Sequence, residues 1–202
     1  MPPVGKRSEI LDAAVLMFSQ KGVDTVSVRE VAERAGVSTA NVFYHFGSKE
    51  ILFKAALEAV SDTIVARRTR VLELDVDDAS KLKAIVADMA AAHLAHPAVR
   101  KMLLRGLLDE DPIAFAQFAR PEYSDQYHGL AKLVERVVPA RDPYQLVFIF
   151  MMLGLAYPSF MPFFDAIRPL RPEERNPEKL AESVLAVIIP DIDWSRVGIP
   201  EA

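Results

Sequence analysis

Residues 27–46, SVREVAERAGVSTANVFYHF, narrow what this 202-residue chain can fold into more than any other stretch. Ser27-Val28-Arg29-Glu30 has the form of a capping box. In that motif a serine hydroxyl accepts from the amide three residues on, and the glutamate reaches back to the serine's own amide. A helix of about eight residues follows and stops at Gly36, after which Ser38 caps a third helix over about 39–45. Two short helices so closely joined must cross tightly, which asks for a small residue at the crossing and a tolerance of positive φ at the turn. Ala32 and Gly36 stand four apart in those places. Val31, Ala35, Val37 and Val42 give the pair an apolar side. On the second helix this leaves a face of Thr39, Ala40, Asn41, Tyr44 and His45. Such a face fits a DNA major groove, where asparagine can pair bidentately with adenine and small side chains meet thymine methyls. The serine-capped ends also offer amides and a positive dipole end to phosphates.

Helical spacing recurs along the rest of the chain and strand-like alternation is nowhere sustained, so the predicted fold class is all-α. The first helix, near 7–20, carries Ile10, Leu11, Ala14, Val15, Met17 and Phe18 on one face and ends before Gly22. Gly47-Ser48 opens a fourth helix, near 48–73. Further helices are expected near 78–95, 98–108, 112–137 with a break at Pro121, 143–166 and 174–188. The boundary signals are Asp77/Asp78, Pro97, Pro139 and Asp142-Pro143, and an irregular tail follows Pro190. The organisation expected is a helix-turn-helix head at 1–54 and an all-helical body at 55–202.

Charge constrains how such a head could work. The net charge is −4, while residues 1–54 carry seven Lys/Arg and six Asp/Glu, leaving the head at +1 and the remainder at −5. A near-neutral head on an acidic body cannot hold DNA by bulk attraction, so it must rely on placed contacts. There are no cysteines, which removes disulfides, thiolate metal sites and cysteine nucleophiles together. The N-terminal MPPVGKRSEI has no apolar run after its basic residues, so no secretory signal is visible and a cytoplasmic location is expected.

Residues 8–57 as a whole closely resemble the DNA-binding head of TetR-type (tetracycline-repressor-like) transcriptional regulators. The resemblance is carried by Ile10–Phe18, Gly22, Thr25, Ser27–Gly36, Val37-Ser38, Phe43–Phe46 and Ser48-Lys49-Glu50-Ile51-Leu52-Phe53. It implies roles by position. Thr25 and Ser27 would contact phosphate beside the second helix, and Arg29 would reach a guanine edge. Ser38, Thr39, Ala40, Asn41 and Tyr44 would face bases or backbone, with His45 and Lys49 on phosphates. Arg29 has a blander alternative, an ion pair with Glu33 four residues on. Lys49 stands in the first turn of its helix, an unfavourable place for a cation that hints at an external anion. Phe43 occupies a place where relatives carry Tyr, and burial is expected of it.

In the body, residues 146–164 are uncharged throughout (LVFIFMMLGLAYPSFMPFF). A membrane span takes roughly 20 such residues. Pro158 and Pro162 are expected to break the helix in its second half, and Asp142 and Asp165 rather than basic clusters flank the run, so no membrane is expected. Burial between two copies is the reading preferred. The resemblance implies the same: the last two long helices, the second with Leu180, Val184, Leu185, Val187 and Ile188, pair with those of a partner. An effector pocket is expected among large adaptable side chains of the body: Met102, Phe115, Phe118, Tyr127 and Phe148, then Met151, Met152, Tyr157 and Phe160. They point to an apolar small molecule. His93 and His96 lack a third ligand and are read as capping groups rather than a metal pair.

No nucleotide-binding loop, nucleophile elbow or metalloprotease motif occurs, so no enzyme activity and no cofactor are expected. The function expected is a ligand-responsive, homodimeric DNA-binding transcriptional regulator. Most readily it is a repressor that leaves a palindromic double-stranded DNA operator when an apolar effector binds. The alternative is a helical adaptor without sequence-specific DNA binding.

Overall fold

A computed structural model of the chain describes residues 5–95, 97–108 and 120–200, and every regular element among them is helical. In chain order these are α1 (Lys6–Lys21), α2 (Val28–Arg34), α3 (Thr39–Phe46), α4 (Lys49–Glu73), α5 (Asp78–Ala95), α6 (Pro97–Leu108), α7 (Pro121–Val137), α8 (Pro143–Ile167), α9 (Pro172–Arg175) and α10 (Pro177–Ile188). Their contacts sort into two units: residues 1–63 with 96–120, and residues 64–95 with 121–202. The chain therefore enters each unit twice, and α4 runs through both ranges.

The first unit is built on α1, whose Ile10, Ala14 and Phe18 are fully buried at helical spacing with Val31, Val42, Leu52 and Leu57. The Phe18 and Phe53 rings meet edge to face at 5.3 Å, a favoured aromatic geometry. The turn after α2 closes by two backbone bonds, Val37 N to Ala32 O at 2.9 Å and Gly36 N to Glu33 O at 3.2 Å. This is the Schellman pattern, and it needs a left-handed residue at 36, where Gly36 has φ 66°. Unforeseen from sequence, α6 also packs on α1, with Leu103 against this core.

In the second unit α5 is central, packed by α7, α8 and α10. Leu82, Ile85, Met89, Leu133, Val147, Phe150 and Leu185 form its buried core. A Cβ at Gly154 would lie 2.8 Å from Met89 Cβ, so only glycine lets α8 come this close to α5.

Two expectations change and a third gains a role. First, α8 continues through Pro158 and Pro162 rather than breaking. Prolines four apart lie on one helix face, so both missing N–H groups interrupt the same side of the ladder and the other sides carry the helix on. Second, the predicted helix at 174–188 is two, because Asn176 precedes a proline and is extended (φ −86°, ψ 121°). Its side chain then caps α10, accepting from Lys179 N at 3.0 Å. Third, the tail after Pro190 is irregular as expected, and it enters the core of the second unit. Trp194 is 1% exposed in the core, its indole N–H donating to Ile189 O at 2.9 Å. The predicted helical stretch 112–119 lies outside the described residues.

By length and composition α8 could cross a membrane, although 39% of its most apolar window is buried within the protein. Its buried face holds Leu146, Val147, Phe150, Gly154, Leu155, Pro158 and Met161. On the opposite side Tyr144, Phe148, Met152, Phe160, Phe163, Phe164 and Ile167 are exposed. The α10 stripe divides as well: Leu185 is core and Val187 points to solvent.

Candidate nucleic-acid interface

The helix-turn-helix geometry is set locally. Ser27 Oγ accepts from Glu30 N at 3.2 Å while Ser27 N donates to Glu30 Oε2 at 2.8 Å, completing the capping box. Lys21 Nζ also donates to Glu30 Oε1 at 2.5 Å. These bonds, first the one from Lys21 and then those from Ser27, hold the Glu30 carboxyl at about 2, well below its ordinary 4.5. A depressed carboxylate stabilises the fold above its unfolded pKa, so this cap keeps its full effect above about pH 4.5 and loses it as pH falls toward 2. Ser38 caps α3 by accepting from Asn41 N at 3.2 Å.

On α3, Val42 and Phe46 are buried four residues apart, and Arg7 from α1 lies over the Phe46 ring at 5.1 Å. The outward face then follows from helical geometry. Tyr44 is 84% exposed, Ala40 is exposed, and Thr39, Asn41 and His45 are half-buried. The His45 ring stands edge-on to Tyr44, centroids 5.2 Å apart. Phe43 is not buried as expected. It is 46% exposed, because it lies one residue past Val42 and is turned about 100° from the buried stripe.

The donors available to phosphate or bases can be sorted by what they already bond. Arg29 is exposed, and no ion pair joins it to Glu33, so the blander alternative for it is absent. The hydroxyl proton of Ser27 is engaged by Glu30 Oε2 at 2.9 Å, which leaves it little for phosphate. Ser38 Oγ only accepts within the helix and keeps its proton. Thr25 is exposed in the loop before α2. Lys49 has an internal role that the sequence did not reveal: its Nζ donates to Asp24 O at 3.2 Å and Val26 O at 3.1 Å, bracing the backbone on either side of Thr25. An ammonium has three protons, so one remains for an outside anion. These partners also answer the dipole problem of a lysine in a first helical turn.

Among the described residues, those expected to form an effector pocket do not share one place in the fold. Phe148, Met152 and Phe160 lie on the exposed face of α8, since they share a helical phase opposite to its buried side. Met151 packs partly on the core, Tyr127 donates to Tyr144 O at 3.1 Å, and Tyr157 donates to Glu174 O at 3.1 Å. Phe115, Phe118, His96 and the Met102 side chain lie outside the described residues.

Residues 10–56 match the family described as bacterial regulatory proteins, tetR family. The HTH-type transcriptional repressor KstR2 of Rhodococcus jostii is 29% identical over 96 residues, 47% of each chain. The nucleoid occlusion factor SlmA of Vibrio cholerae is 25% identical over 101 residues, 50% of this chain and 52% of that one. The chain thus spans about half the length of the curated relatives it matches. Across nearly the whole length, the structure of the ketosteroid transcriptional regulator KstR2 of Mycobacterium tuberculosis is similar to this fold. It has a TM-score of 0.71 and 19% identity, and the match covers 94% of this chain and 95% of that one.

Proposed function

We propose that this chain, whose residues 10–56 match the tetR family of bacterial regulatory proteins, is a homodimeric transcriptional repressor of that family acting in the cytoplasm. It reads a palindromic DNA operator with α3 and leaves the operator when an apolar small molecule binds. The observation that carries the DNA reading is the outward face of α3, which presents Tyr44, Ala40, Asn41 and Thr39, together with an exposed Arg29 on α2 that has no ion pair among the described residues. A fold that only needed to bury Val42 and Phe46 would have no use for these side chains at that place. Dimerisation follows from the groove: a single head contacts one half-site, and two heads gain the second one helical turn away, roughly 34–36 Å. The exposed apolar face of α8 supports a partner copy rather than lipid.

The test is binding to operator DNA recovered by footprinting. Arg29→Ala and Asn41→Ala should each relax specificity at one base pair, by about 1–3 kcal/mol. Lys49→Ala should weaken binding to all sequences alike, since it loosens the loop that carries Thr25. Equal losses on specific and non-specific DNA for all three variants would remove the base-reading assignment.

An apolar effector is supported by the apolar body and by a relative named for ketosteroids, which are apolar polycyclic molecules. Coupling between two sites is typically 1–3 kcal/mol, so the effector should lower operator affinity about 5- to 150-fold, and operator DNA should weaken effector binding by the same factor. Operator affinity measured with and without a compound that raises the melting temperature checks this. A tightly bound compound that leaves operator affinity unchanged would not be an effector.

A further inference from the structure

The second unit contains a cavity of about 360 Å³ that none of the expected effector residues lines. Its walls are Arg67, Arg70 and Val71 from the end of α4, Ala84 and Asp88 from α5, and Ile199 and Pro200 from the tail. That volume is at the lower end of small-molecule sites, roughly 300–1,000 Å³.

Among the described residues the charges around it do not balance. Asp88 is a single carboxylate shared by two guanidiniums, ion-paired to Arg67 through Oδ1 and to Arg68 through Oδ2. The Arg68 pair is loose: Nε stands 3.7 Å from Oδ2, and neither atom has a hydrogen-bond partner. Arg68 is only 7% exposed. Burial pulls its pKa down, with Asp88 opposing. A buried cation with an unfilled donor is costly, and one shared carboxylate is thin compensation. Arg70, exposed at the cavity, donates through Nε to Ala66 O at 3.3 Å in its own helix and has no ion-pair partner among the described residues. Among the described residues, three guanidiniums thus stand against one carboxylate, beside apolar walls of Val71, Ala84, Ile199 and Pro200.

The tail wall is held in place independently of any ligand. Lys83, buried on α5, donates to Trp194 O at 2.6 Å and Val197 O at 2.8 Å, two residues short of Ile199.

We propose that this cavity binds a small monocarboxylate with a hydrocarbon body, its carboxylate on Arg70 and the free nitrogens of Arg67. Its hydrocarbon lies against Val71, Ala84, Ile199 and Pro200. Guanidiniums present paired N–H groups that match a carboxylate, and such charge-assisted bonds are about twice as strong as neutral ones. The ligand is charged where the effector above is apolar, and the site stands whether or not the chain leaves DNA.

Calorimetry on the full chain without DNA tests this, using octanoate against octanamide, which share shape and differ in charge. Octanoate should bind at least about tenfold more tightly than octanamide. Arg70→Gln should lower octanoate affinity by about tenfold, with octanamide binding and the melting temperature unchanged. Arg141→Gln, an exposed arginine outside the cavity walls, should alter neither. Equal affinity for acid and amide, full octanoate binding by Arg70→Gln, or no octanoate binding at millimolar concentration would each overturn the proposal.

Discussion

Phe148→Glu should weaken self-association of this chain by about 10²–10⁴-fold, and adding Phe163→Glu should leave a folded monomer in sedimentation. Both phenylalanines are exposed, at 58% and 60%, on the face of α8 turned away from its own core. Burying such a side chain is worth about 1.5–3 kcal/mol. A two-fold interface uses each residue twice, so one substitution removes roughly 3–6 kcal/mol of association, which sets the range above. Because neither residue belongs to either buried core, the helical signal and the melting transition of the monomer should survive. Leu185 would be a poor choice for this test despite its place in an apolar stripe. It is fully buried within the chain, so a charge there would unfold the body. A wild-type chain that sediments as a monomer at micromolar concentration would end the dimer reading.

Lys83→Met should destabilise the protein by about 3–5 kcal/mol, the usual effect of removing one partner from a buried charged cluster. Methionine keeps the apolar stem of lysine, so the loss reports on the ammonium. That group donates to Trp194 O, Val197 O and, at 3.2 Å, Glu182 Oε2, filling all three of its protons. Without it two carbonyls of the tail lose their donor and a carboxylate loses its counter-ion. The chain has a single tryptophan, and it sits in this segment. Its fluorescence should therefore shift to the red as the tail loosens, at urea concentrations where the helical signal still persists. An unchanged urea midpoint would show that Trp194 packing alone secures the tail.

These two predictions come from different depths of information. The apolar character of α8 was legible as composition: residues 146–164 carry no charge. What sequence could not decide was which side faces inward. That depended on Met89, whose backbone and Cβ meet Gly154 across a crossing of two helices far apart in the chain. Once that contact set the rotation of α8, Phe148, Met152 and Phe160 turned away from the core of their own chain. The Lys83 clasp was not legible at all, because a lysine among apolar residues on a helix gives no sign of carbonyls more than a hundred positions away.

The head shows the opposite balance. Its capping box, the Schellman turn at Gly36, the Ser38 cap and the exposed face of α3 are all made by residues within five positions of each other. Interactions of that range are dictated by dihedral preferences and side-chain reach, which contiguous residues carry with them. Hence the sequence by itself determined the helices, their caps and the candidate DNA-reading face. Tertiary structure alone decided that α6 joins the head, that Lys49 braces the Thr25 loop, that Trp194 fills the body core and that Arg67 and Arg68 share Asp88. Each of these joins separate segments of the chain, and their meeting depends on which faces the whole chain can bury together, not on the preference of any one stretch.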